Sequence, residues 1–250
     1  MIAEPLAYGD SFLYRVDPRL RIVAAAFFSC AVAVFHAFAA LLAACLAAAT
    51  LLLFSGLDFR EISRRMAVVL GFLLLLWCLL PLTYEGDVLG TLGPLPLYRP
   101  GLVLAAQITL KTLAIIAVFT ALVATMPVST LGHALARLGL PDKLVYLLLM
   151  CYRYIFVIEQ EYRRLVAAMK IRGFRARTRL HTYRSYAYLV GMLFVRAAAR
   201  ADRVYQAMRC RGFDGRFHSL AAFPPHPVNQ WFAAAAASVM IALLGLEWIF

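Results

Sequence analysis

The sequence predicts an all-α integral membrane protein with about five transmembrane helices and two long coupling helices on the cytoplasmic face. Three observations lead there. Of 250 residues, 64% are hydrophobic and only 15% charged, whereas a soluble domain carries roughly 45–50% apolar and about 25% charged residues. Five apolar stretches have the length of a membrane span. Finally, nearly one octapeptide closes two long segments: AAMKIRGF at 167–174 and QAMRCRGF at 206–213.

The first 20 residues, interrupted by Pro5, Asp10, Asp17 and Pro18, lack the apolar core of a cleavable signal peptide, so the first hydrophobic span is expected to be retained. The apolar stretches run over 20–36, 38–55, 66–82, 102–126 and 228–249. A membrane helix needs about 17–25 such residues, so all five qualify. Arg15, Arg19 and Arg21 precede the first, and Arg60, Arg64 and Arg65 separate the second from the third. Loop 83–101 carries Glu85 and Asp87 against a single Arg99. The positive-inside bias therefore puts the N-terminus and residues 127–227 in the cytoplasm, with loop 83–101 and the C-terminus outside. Three domains follow: a four-helix membrane domain over 1–126, a coupling domain over 127–227, and a final transmembrane helix over 228–250.

The net charge of +12 is concentrated. Between Arg137 and Arg216 stand 17 Lys/Arg against 5 Asp/Glu, and the rest of the chain balances to zero. Nucleic acid is excluded as the partner, because apolar segments interrupt the charges and no binding module is visible. Anionic lipid or an acidic protein surface remains. Segment 141–173 opens on Pro141, ends on Gly173 and has neither residue between, which predicts one long helix. Its apolar part, 144–158, covers only about 22 Å and falls short of a span. A second helix, about 182–212, repeats the design and ends at Gly212.

Capping explains Arg-Gly-Phe once. Glycine takes the left-handed conformation that ends a helix, and a cation in the last turn complements the dipole. A cap does not require Ala168 and Met169, or Ala207 and Met208, at matching places before Arg172 and Arg211. With Ala and Arg at i,i+4, each Arg is expected to project beside a small residue and a flexible apolar one. A partner could grip that surface.

Two helices ending in x-Arg-Gly, together with the opening DSFLYRVDPRLRIV at 10–23, resemble the transmembrane (T) component of energy-coupling factor (ECF) transporters. These are ABC-type importers, and the likeness is strongest to their cobalt/nickel, CbiQ-like subgroup. That family usually has Ala before the Arg; this chain has Ile171 and Cys210. The resemblance implies an energy-coupling subunit in the bacterial inner membrane, importing cobalt or nickel ions in the service of cobalamin biosynthesis. It implies two ABC-type ATPase subunits docked at Arg172, Gly173, Arg211 and Gly212, with Ala168, Met169, Ala207 and Met208 as supporting contacts. It also implies a separate substrate-binding membrane (S) subunit. ATP and Mg²⁺ would be used by the ATPases, with no cofactor on this chain and no catalysis by it.

The residues agree on what this chain lacks. No G-x-x-x-x-G-K-[ST] phosphate loop occurs. His36, His133, His181, His218 and His226 are scattered without ligand spacing, so no metal site is expected from this chain alone. Cys30, Cys45, Cys78, Cys151 and Cys210 form no CxxC and read as small buried hydrophobes. Two alternatives remain. A self-contained secondary transporter or channel would use Gln107 and Lys111, i,i+4 in the fourth span, because an intramembrane lysine signals function by default; the plainer account has Lys111 reaching backbone carbonyls or a partner. A membrane enzyme would need converging acids, histidines or a nucleophile in the bundle, and the spans offer none.

Overall fold

The computed structural model describes residues 16–57, 59–83, 88–92, 95–214 and 227–249. Among them the helices are α1 (Pro18–Val34), α2 (Phe38–Phe54), α3 (Phe59–Thr83), α4 (Arg99–Leu122), α5 (Val128–Arg137), α6 (Asp142–Ile171), α7 (Leu180–Cys210) and α8 (Pro227–Ile249). The five expected spans correspond to α1, α2, α3, α4 and α8, and the two long segments to α6 and α7. Two elements were not expected: the short helix α5, and a hairpin in which β1 (Val88–Leu92) pairs antiparallel with β2 (Leu95–Tyr98). This is a helical, multi-pass membrane protein with one small hairpin.

Length separates the spans. Ile62–Thr83 of α3, all of α4 and all of α8 are long and apolar enough to cross a membrane. Helices α1 and α2 have 17 residues each, about 25 Å, at the lower limit for a span. On α8, the exposed Trp231 and Trp248 lie about 25 Å apart along the axis, a spacing that suits the aromatic belts at two membrane interfaces.

The chain divides into two compact units, one built from α1 through Ala134 of α5 together with α8, the other from Leu135 through α6 and α7. The first is organised by small residues. Ala40, Ala44 and Ala48 recur every four positions on α2 and are fully buried, forming a smooth face that packs on α4. Ala114, Ala117 and Val118 of α4 complete it, with Phe28 and Val32 of α1 and Leu243 of α8 in the same core. Between helices in lipid, close packing of small side chains substitutes for the absent hydrophobic drive. Gly101 takes this furthest: a Cβ there would stand 2.6 Å from the Leu80 carbonyl oxygen and 2.9 Å from the Pro81 Cα of α3. Only glycine allows α4 that close.

The N-terminal end of α1 is tied by polar groups. Asp17 caps the helix by accepting from the Arg19 N–H at 3.0 Å, with Pro18 at the first position. Its own N–H donates to Asn229 of α8 at 3.0 Å. Arg21, read from sequence as an orientation signal, is 2% exposed. It donates to the Thr125 hydroxyl, which donates on to the Ala121 carbonyl at 2.9 Å.

Candidate functional site

Helices α6 and α7 end in the same cap. Gly173 and Gly212 both have φ of 80°, the left-handed conformation that a Cβ disfavours. At the end of α6 the Gly173 N–H donates to Lys170 at 3.0 Å and the Phe174 N–H to Met169 at 3.1 Å. At the end of α7 the Gly212 N–H donates to Arg209 at 3.0 Å and the Phe213 N–H to Met208 at 3.1 Å. This paired pattern is the Schellman motif. The capping role is therefore real at both sites, and it fixes where the neighbouring side chains point.

That direction is repeated too. Ala168, Arg172, Ala207 and Arg211 are exposed, whereas Met169, Phe174, Met208 and Phe213 are half-buried. Each end thus shows solvent an Ala–Arg pair and turns its Met and Phe inward. Exposure alone does not distinguish these arginines, since Arg175, Arg177 and Arg179 are exposed as well. What distinguishes them is identical placement on two identical caps.

The two helices lie antiparallel, as three contacts along them show. The Phe174 ring meets Tyr186 edge-on at 5.8 Å. Arg196 of α7 donates to the Glu161 carboxylate of α6. The Tyr146 hydroxyl donates to the Met208 sulfur at 3.7 Å. As the α6 number falls from 174 to 146, the α7 number climbs from 186 to 208. Arg172 therefore stands near the start of α7 and Arg211 near the start of α6, separated by about 38 Å along the pair, from 25 residues at 1.5 Å each.

A cleft of about 330 Å³ between the helices is lined by Tyr154, Val157, Leu193, Ala197, Val204 and Tyr205, among others. Burial pushes the Tyr146 phenol above its ordinary value, with Tyr154 adding to the rise and Arg153 opposing it. Glu161 is held below the ordinary carboxylate value, chiefly by the Arg196 hydrogen bond and further by the charges of Arg196, Arg164 and Arg200, with desolvation opposing. A lowered carboxylate pKa means the contact is complete above the ordinary value of 4.5 and weakens only as pH falls through the depressed one.

Gln107 and Lys111 do come together, on the last turn of α1 and the link to α2. The Lys111 ammonium donates to the Ala33 carbonyl at 2.9 Å and the Gln107 amide to the His36 carbonyl at 2.8 Å. From the other side, Glu247 of α8 accepts the His36 N–H at 2.8 Å and the Ala37 N–H at 3.1 Å. Ala37 is the N-cap position of α2 and has no side-chain cap of its own. A cation thus faces the C-terminus of α1 and an anion the N-terminus of α2, each matched to a helix dipole. Sequence reasoning missed Glu247, whose one signal was a carboxylate in an otherwise apolar last turn.

Among the described residues no three His, Cys, Asp or Glu side chains group as metal ligands; His218 and His226 lie outside the described residues. The cysteines depart from expectation: Cys30, Cys78, Cys151 and Cys210 are exposed and Cys45 is half-buried. The exposed four lie on outward faces of their helices, and Cys45 donates to the Leu110 carbonyl at 3.3 Å.

Comparison with known proteins places these features in a family. The cobalt transport protein family CbiQ matches residues 9–220. The chain is 24% identical over 226 residues to the energy-coupling factor transporter transmembrane protein EcfT of Bacillus subtilis, covering 86% of this chain and 85% of that protein. It is 28% identical over 120 residues to the cobalt transport protein CbiQ of Rhodobacter capsulatus, covering 48% of this chain and 49% of the relative. An uncharacterized protein of Methanocaldococcus jannaschii, MJ1089, is 26% identical over 150 residues, or 60% of this chain and 56% of its own length. The chain thus spans about half of these last two relatives.

Proposed function

The chain belongs to the CbiQ family of cobalt transport proteins, and from that premise we propose that it is the energy-coupling transmembrane subunit of an ECF-type importer of cobalt or nickel ions. It links two ABC-type ATPase subunits, which use ATP and Mg²⁺, to a membrane subunit that holds the cargo. The chain binds no cofactor and catalyses nothing itself. The division into 1–126, 127–227 and 228–250 assigns a membrane bundle and a last span to the bacterial inner membrane, with the coupling region between them on its cytoplasmic face. One observation carries the reading: the same cap, displaying Arg172 and Arg211, is built at both ends of one antiparallel helix pair. Two equivalent ends suit a two-fold partner with one socket per subunit. Guanidinium suits the contact, presenting a rigid fork to carboxylates and keeping its charge at every physiological pH.

The secondary-transporter reading loses its support, because Gln107 and Lys111 are engaged as helix caps. The test of docking is co-purification of the ATPases with arginine variants. Truncating one partner of a buried charged pair costs about 2–5 kcal/mol, so Arg172→Ala or Arg211→Ala is expected to weaken docking by roughly 30- to several-thousand-fold at about 1.4 kcal/mol per decade. The double variant loses the complex. Loss of a capping cation alone costs about 0.3–1 kcal/mol and leaves the partner bound. If both alanine variants bind the ATPases normally and sustain uptake, the proposal fails.

A further inference from the structure

The cross-helix contact at Glu161 has a different character from those at either end. One carboxylate, with only 15% of its side chain exposed, meets Arg196 from α7 while Arg164 of its own helix lies 3.8 Å from its second oxygen. Arg200 adds a third positive field from α7. By contrast, Glu159, two residues earlier, pairs within α6 with Arg163 at 2.5 Å and makes no ion pair to another helix among the described residues. Glu161 also sits between the two end contacts, each of which uses the repeated motif or the residue directly after its glycine: Phe174 on Tyr186, and Met208 under Tyr146.

Without Glu161, three guanidinium groups on two helices would face one another with nothing between them. With the Arg164 and Arg196 side chains 67% and 46% exposed, their repulsion is screened, and it acts against close approach of α6 and α7 at their middle. The end contacts are an edge-on ring pair and a hydroxyl–sulfur bond. Neither is charge-assisted; they bracket the helix pair, and the ion pair closes it between them.

We infer that Glu161 is the positioning residue that holds α6 and α7 at one angle, so that the two Arg-Gly ends are presented as a single rigid element. The inference rests on the docking role proposed above for those ends, and it concerns what keeps them in register. Movement imposed at Arg172 then reaches Arg211 through the pair, with Glu161–Arg196 as the pin.

The test uses the full chain, cysteine-free and in lipid, with spin labels at Ala167→Cys and Gln206→Cys, the exposed first residues of the two octapeptides. With Glu161 intact, the label separation is expected as one narrow population. Glu161→Gln raises the population outside that peak by about two- to fivefold, the range that a part-exposed ion pair supplies. Glu161→Lys raises it further, Glu161→Asp stays near the parent, and adding Arg196→Met to Glu161→Gln makes matters no worse. A packing role predicts the reverse order, since Gln keeps the shape of Glu and Asp does not. Parental behaviour of Glu161→Gln, or greater disturbance by Asp than by Gln, overturns the inference. Repeating the measurement with ATPases bound and a non-hydrolysable ATP analogue added reads transmission directly. The parent's peak is expected to shift as one population and that of Glu161→Gln to split, and an unsplit shift also overturns the inference. Failure of the docking proposal is read separately, as normal ATPase binding by the Arg172 and Arg211 variants with Glu161 untouched.

Discussion

Glu247→Ala removes a charge from inside the membrane unit, and the structure expects this to destabilise it. In its own helix the carboxylate is misplaced, because an anion in a last turn opposes the dipole by about 0.3–1 kcal/mol. Its compensation lies just ahead of α2, where it accepts the N–H groups of His36 and of the N-cap residue Ala37 at 2.8 and 3.1 Å. Hydrogen bonds to a charged group contribute about 1.5–3 kcal/mol each, and the exposure of His36 to its surroundings puts this pair at the low end. Subtracting the relieved dipole conflict leaves about 2–4 kcal/mol lost in Glu247→Ala. Glu247→Gln keeps one acceptor but turns an amide N–H₂ toward the second N–H, for a loss of about 1.5–3 kcal/mol. The assay is reversible unfolding in bicelles or thermal denaturation in mild detergent, with Lys111→Met measured alongside. Lys111→Met is also expected to destabilise, since the Ala33 carbonyl loses its donor. Parental stability of both Glu247 variants would refute the cap, and parental stability of Lys111→Met would return Lys111 to consideration as a transport residue.

Gly101→Ala is expected to cost about 1–3 kcal/mol by overpacking, because the added Cβ meets Leu80 and Pro81 backbone rather than a yielding side chain; unfolding midpoints of the two proteins check it. Single-cysteine labelling checks the topology: position 177 is expected to react only from the cytoplasmic side and a cysteine in loop 83–101 only from outside. Labelling of 177 from outside contradicts the orientation.

Much of the helical plan was legible because hydrophobic length and Gly/Pro punctuation are local signals. The caps on α6 and α7 were legible for the same reason: Arg-Gly-Phe states its own backbone geometry. Pairing across distance was not. Glu159 and Glu161 stand two apart amid the same arginines, and nothing local says that one closes on its own helix while the other crosses to a residue 35 positions away. Arg21 counted as a topological charge because sequence shows only that it precedes an apolar run; burial against Thr125 depends on the turn after α4, 104 positions on. Glu247 reaches back 211 positions to His36. Helix α5, of 10 residues, and the hairpin strands, of five and four, are too short for periodicity to register. Of the candidate site, then, the ends were readable and their relation was not.

That relation follows from a connection length. Residues 172–179 join α6 to α7, too few to return the chain to the start of α6, so α7 runs back alongside it. Antiparallel packing sends the two C-terminal caps to opposite ends, and the distance between Arg172 and Arg211 is set by how long α7 is. Duplicating residues 198–204 inside α7 would add about 10.5 Å while rotating the cap by only about 20°. The motif and its Schellman geometry would persist; the spacing would grow, and Met208 would leave Tyr146. If two sockets on a two-fold partner read that spacing, one end docks at a time and ATPase retention falls to the level of Arg211→Ala. If the extended chain holds both ATPases as firmly as the parent, each Arg-Gly end acts alone and the length of the helix pair carries no information.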